Sequence, residues 1–118
     1  MKQWEERLRA VAERAFPKGT RLIAPPGKGD YVLLASWKIG PDPARRRRSK
    51  TVRVAISTEA LENYARSLES ERYMADQRLN SFLYTQLDRF DPSHDTPPGT
   101  EPPIVAWVVD NRVLNGGR

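Results

Sequence analysis

Residues 50–90, KTVRVAISTEALENYARSLESERYMADQRLNSFLYTQLDRF, decide how the rest of this 118-residue chain is arranged. Val52, Val54 and Ile56 alternate with Thr51, Arg53 and Ala55, the period of a strand with one face turned to a core. Ser57 or Thr58 then supplies an N-cap, and Glu59 and Glu62 sit favourably against the helix dipole. From there an apolar stripe returns every three or four residues through Leu61, Tyr64/Ala65, Leu68, Ala75, Leu79, Phe82/Leu83, Leu87 and Phe90, interrupted only by Arg72. A single helix of that length runs about 50 Å. A globule of this size is only about 35 Å across. With no glycine or proline to mark a break, the reading is one long helix, either kinked near the polar Glu69–Arg72 patch or projecting toward a partner.

Outward from this stretch, residues 2–16 read as an amphipathic packing helix with Trp4, Leu8, Val11, Ala12 and Ala15 on one face, stopped by Pro17 and Gly19. Residues 20–24 form a short strand candidate. Residues 31–39, YVLLASWKI, form a second, with Tyr31, Leu33, Ala35 and Trp37 inward and Val32, Leu34, Ser36 and Lys38 outward. This strand and the one at 51–56 make an antiparallel hairpin around a basic connection, residues 40–50. Downstream, the five-proline stretch DPSHDTPPGTEPP, residues 91–103, is an extended connection. IVAWVV, residues 104–109, lacks alternation and reads as a strand covered on both faces. Asp110-Asn111 reads as a turn, with residues 112–114 adding a short edge. The expectation is one α+β domain over residues 1–118. It has an N-terminal helix, an antiparallel sheet of three to four strands, one long helix packed on that sheet, and a C-terminal strand beside the hairpin.

Charge is concentrated rather than spread. The chain holds 20 basic and 15 acidic residues, net +5. Six of the bases and one acid fall between Gly40 and Arg53, so the remainder is balanced at 14 and 14. Four adjacent arginines in PARRRRSK repel one another unless something anionic compensates, and their planar forks suit phosphate oxygens. Arg45, Arg46, Arg47, Arg48, Lys50 and Arg53 are therefore the candidate contacts to a DNA or RNA backbone, with Trp37 or Tyr31 able to stack on a base if exposed. The bland alternative is a solvated basic connection with Trp37 in the core. The competing function is a protein-interaction module: a homodimer joined through Leu79, Phe82, Leu83, Leu87 and Phe90 of the overlong helix.

Other chemistry finds little footing. The chain has no cysteine, which removes disulfides and thiolate sites and fits a reducing, cytoplasmic setting. No apolar run approaches a membrane span. Pro26-Gly27-Lys28-Gly29 lacks the second glycine and the hydroxyl residue of a phosphate loop and reads as a turn. The lone His94 stands among Asp88, Asp91 and Asp95, but at a helix stop and in a proline-rich segment, so neither a metal nor a catalytic role is expected. Glu59, Glu62, Glu69 and Asp76 read as a solvated helix face. The expectation is a binding protein without cofactor or metal, not an enzyme.

Two resemblances bear on this. Residues 50–90 look like a ribbon-helix-helix DNA-binding unit, which implies base reading by Thr51, Arg53 and Ala55. The glycine-free, in-phase stripe and the additional strands depart from that pattern and disfavour it. LLASWKIGPDPARRRRSKTVRVAIS, QLDRFDP and IVAWVVDNRV together resemble a small family of uncharacterised proteobacterial proteins. That resemblance implies a bacterial cytoplasmic protein and supplies no catalytic residues.

Overall fold

Strand alternation and helical periodicity resolve into eight elements in the computed structural model, which describes residues 1–40, 48–97 and 99–116. In chain order these are α1 (Lys2–Ala15), β1 (Arg21–Ile23), β2 (Tyr31–Ser36), β3 (Thr51–Ile56), α2 (Thr58–Arg66), α3 (Glu69–Asp88), β4 (Ile104–Val109) and α4 (Asn111–Asn115). The four strands make one sheet in the order β1-β2-β3-β4.

The fully antiparallel sheet expected from the sequence gives way to a mixed one. β1–β2 and β2–β3 are antiparallel, but β4 runs parallel to β3, with Thr51 opposite Ile104 and Ile56 opposite Val109. A parallel neighbour can be reached only by a crossover, and α2 and α3 provide it. α3 carries the chain back to the start of β3, where Lys50 N–H donates to Pro92 O at 2.9 Å and Thr51 N–H to Pro103 O at 2.9 Å.

The single long helix is also corrected. Ser67 and Leu68 are both extended, ending α2 and starting α3 without glycine or proline. Polar side chains make the break. The Ser67 hydroxyl donates to Asn63 O, and the Glu71 carboxylate reaches back to accept from Leu68 N–H. The Arg72 guanidinium donates to the terminal carbonyls of α2 at Tyr64, Ala65 and Ser67 and lies 4.2 Å from the Trp4 ring centroid. The residue that interrupts the apolar stripe is thus the one that closes the first helix.

The inward alternation of β2 and β3 holds: Leu33, Ala35, Trp37, Val52, Val54 and Ile56 join Leu8, Val11, Ala12, Leu79 and Leu83 in one core. At one end of that core Phe16 stacks on Trp107 at 6.4 Å, and Phe90 meets Trp37 and Trp107 edge-on at 5.9 and 5.5 Å. β4 is covered on one face only, contrary to its unbroken apolar sequence. Trp107 and Val109 are buried, while Ile104 and Val108 are 62% and 60% exposed. Asn111–Asn115 form α4 rather than a turn and a short edge strand. Asp110 caps it by accepting from Val113 N–H at 2.8 Å, and Gly116, at φ +72°, ends it. Asn115 then donates to Ala60 O at 2.9 Å, locking α4 onto α2.

Asp76, expected on a solvated face, is instead the joint of three helices. Arg7 of α1 donates to it through Nε and Nη2 at 3.0 and 2.9 Å, and the buried Tyr64 hydroxyl of α2 donates at 2.6 Å. Burial, and then the hydrogen bond to this carboxylate, push the Tyr64 hydroxyl well above its usual 10. The folded chain holds that proton more tightly than the unfolded one. Its contribution is therefore whole below pH 10 and is lost as pH rises past 10.

Two outcomes follow for urea titrations. Tyr64→Phe lowers stability at neutral pH by about 2 kcal/mol and removes the tyrosine's share of the alkaline loss. Arg72→Ala, which uncovers the α2 carbonyls and the Trp4 face, costs about 2 kcal/mol. Arg72→Lys does not restore it, because one ammonium cannot span the carbonyls and the ring together.

Candidate functional site

All the helices pack on one side of the sheet, and the residues of the opposite side are fixed by strand register. Ile23, Leu34, Arg53 and Ala106 form one row across the four strands; Val32, Ala55 and Val108 form the next; Arg21 stands opposite Ser36 and Thr51 opposite Ile104. No strand contains an aspartate or glutamate, so this bare face carries no strand carboxylate. Arg53 lies at its centre and Arg21 on its outer strand.

At one end of the face the hairpin narrows to a hydrogen-bonded neck. Ser49 N–H donates to Trp37 O at 2.7 Å, and Trp37 N–H donates to the Ser49 hydroxyl oxygen at 3.0 Å, which leaves Ser49 fully buried yet satisfied. Arg48 bridges to Lys38 across this neck. Its guanidinium folds back along β2, donating through Nε and Nη2 to the Ser36 hydroxyl at 3.2 and 3.0 Å and through Nη2 to Ser36 O at 3.0 Å. The Nε and Nη2 edge of the fork is thus held on Ser36 by the protein itself.

The six candidate contacts are therefore sorted rather than gathered. Arg48 and Arg53 share the bare face. Lys50 turns to the helix side, where its ammonium sits 5.9 Å from the Phe90 ring centroid. There it helps the Ser93 hydroxyl and amide, which bond Asp91, to hold that carboxylate below its ordinary range. Arg45, Arg46 and Arg47 lie outside the described residues. Arg21 belongs with Arg53 and was not among the candidates, since only the β1–β2 register places it there. Every described ion pair lies among α1, α2 and α3, and none involves Arg21, Lys38, Arg48, Lys50 or Arg53.

The aromatic candidates take the bland role on this face. Trp37 is buried against Phe16 and Phe90 on the helix side, and Tyr31, inward by alternation, is half-buried against the core. The proposed dimer stripe is likewise spent on the core: Leu79 and Leu83 are fully buried, and Phe82, Leu87 and Phe90 pack against them. β3 has both edges occupied by β2 and β4, so it cannot pair with a second copy as a ribbon-helix-helix strand must.

His94 serves as a tether. Its Nδ1 accepts from Thr96 N–H at 3.2 Å, so the Nε2–H donates to Arg48 O at 3.0 Å. Both ring nitrogens are engaged, and among the described residues no group of three His, Asp or Glu side chains is placed to hold a metal ion. No described helix is long and apolar enough to cross a membrane. Compared with protein-family models, curated proteins and solved structures, the chain matches none.

Removing the tether in His94→Ala loosens residues 91–97 from the hairpin neck. The expected result is faster hydrogen exchange of the Lys50 amide and a stability loss of about 1 kcal/mol.

Proposed function

We propose that the protein is a non-enzymatic nucleic-acid-binding module that holds the phosphate backbone on the bare sheet face and the adjoining arginine run. The observation that carries this reading is a sheet face whose strand residues include Arg21 and Arg53 and no carboxylate, with the guanidinium of Arg48 held on Ser36 beside it. Arg45, Arg46 and Arg47, which precede Arg48 in sequence, extend the proposed contact. Arginines without carboxylate partners keep their charge available to phosphates, and release of condensed counterions then drives association. With no aromatic side chain on this face, contact there is to backbone rather than to bases, and sequence preference is weak. His94, the residue on which proton transfer at neutral pH would draw, is occupied by the Arg48 tether.

A protein-interaction module is the second reading, and it moves from the helix to this same face. Ile23, Ile104 and Val108 are exposed on it by 40%, 62% and 60%, which suits a partner combining apolar and acidic side chains.

Fluorescence anisotropy with labelled duplex and single-stranded oligonucleotides, run across a salt series, separates the two. On the nucleic-acid reading log affinity for duplex falls with log salt by about 0.9 per phosphate contact. Arg21→Ser with Arg53→Ser lowers that slope by about 2. Absence of binding at low salt overturns the reading.

A further inference from the structure

The helix side of the same sheet end holds a cleft of about 530 Å³, between the C-terminal ends of α1 and α3. Trp37, Phe16 and Phe90 line it, with Tyr84 on one wall and Arg14 and Asp88 beside them. Its size falls in the range of small-ligand sites. Trp37 and Phe16 show little surface, but Tyr84 is 54% exposed. Its hydroxyl donates to Arg14 O at 3.5 Å.

Resting on the nucleic-acid reading, we infer that this cleft receives one unstacked base of a single-stranded nucleic acid whose backbone crosses the hairpin neck. Three observations converge on that occupant. The cleft wall and the basic neck are one piece of structure, since Trp37 is bonded through both N–H and C=O to Ser49, one residue from Arg48. Lys50, the candidate cation turned away from the bare face, stands over Phe90 of the cleft. The polar rim carries both signs: Arg14 offers donors and Asp88 an acceptor, as the mixed donor and acceptor edge of a base requires. None of the described ion pairs involves Arg14 or Asp88. A base in a duplex is stacked and paired and cannot reach such a cleft, whereas a single strand presents its bases for stacking on aromatic rings.

The test compares one labelled oligonucleotide as a single strand and as a duplex, against wild type, Tyr84→Ala, Tyr84→Phe and the Arg21→Ser/Arg53→Ser double variant. An adenine analogue quenched by stacking, placed within the single strand, reports the base directly. The expected result is about a tenfold preference for the single strand, with quenching on binding. Tyr84→Ala abolishes the preference and the quenching while duplex affinity stays unchanged. Tyr84→Phe, which keeps the ring, retains both. If single strand and duplex bind equally, without quenching and regardless of Tyr84, the base site is overturned while the backbone reading stands. Binding of neither probe by wild type overturns the backbone reading, and the base site with it.

Discussion

The arrangement depends on β3 being paired along both edges, antiparallel to β2 and parallel to β4. The antiparallel side needs no crossover, and residues 37–50 join β2 directly to β3. The parallel side demands that the chain return to where β3 began, and the helices that bring it back have to cover the sheet somewhere. They cover one side, where Tyr64, Leu79, Leu83 and the aromatic cluster fill the space above Val52, Val54 and Ile56. Among the described residues, no helix covers the opposite side. The hydrogen bonds of one strand thus divide the molecule into a side that is packed and a side free to meet something else.

Much of this was legible. Period-two alternation placed Leu33, Ala35, Trp37, Val52, Val54 and Ile56 inward correctly, because it depends on the local pleat and on no partner. The helix at the N-terminus and the N-cap at Ser57 were equally local features, and Ser57 does accept from Ala60 N–H. What escaped depends on distant partners. Arg72 looked like a flaw in an apolar stripe because the carbonyls and the ring it serves lie on other elements. Asp76 looked solvated because Arg7, on another helix, gave no local sign of approaching it. β4 looked buried on both faces because its composition is that of an inner strand, whereas its position is at the sheet edge. The α4 caps, Asp110 and Gly116, were visible in sequence; a turn reading of Asp110-Asn111 took their place.

For the candidate site, the arginine run gave no sign in sequence of how the neighbouring charges divide between the two sides of the sheet. Alternation separates Arg53 from Val52 and Val54, and the neck separates Arg48 from Lys50, so neighbours in sequence serve opposite sides of the sheet. Arg21 joins Arg53 only through two strand registers. Charges brought together in this way are fixed by backbone geometry rather than by flexible side-chain reach. The spacing of their backbone positions is thereby preset by the sheet.

The parallel pairing also governs the order in which the molecule can be assembled. The antiparallel pairings of β1, β2 and β3 join positions nearer in sequence than the pairing of β3 with β4, and nearer contacts form earlier. The pairing of Thr51 with Ile104, and the bond from Asn115 to Ala60, join positions far apart along the chain. During synthesis β3 therefore waits with one edge open, and α2 with one side uncovered, until residues 104–115 have been made. Over that interval the exposed edge of β3 is a template for strand addition by a neighbouring nascent chain. Arg53 in that strand, and the arginine run just before it, oppose the encounter through like-charge repulsion. Basic residues in and just before this strand thus act as gatekeepers while the protein is being built.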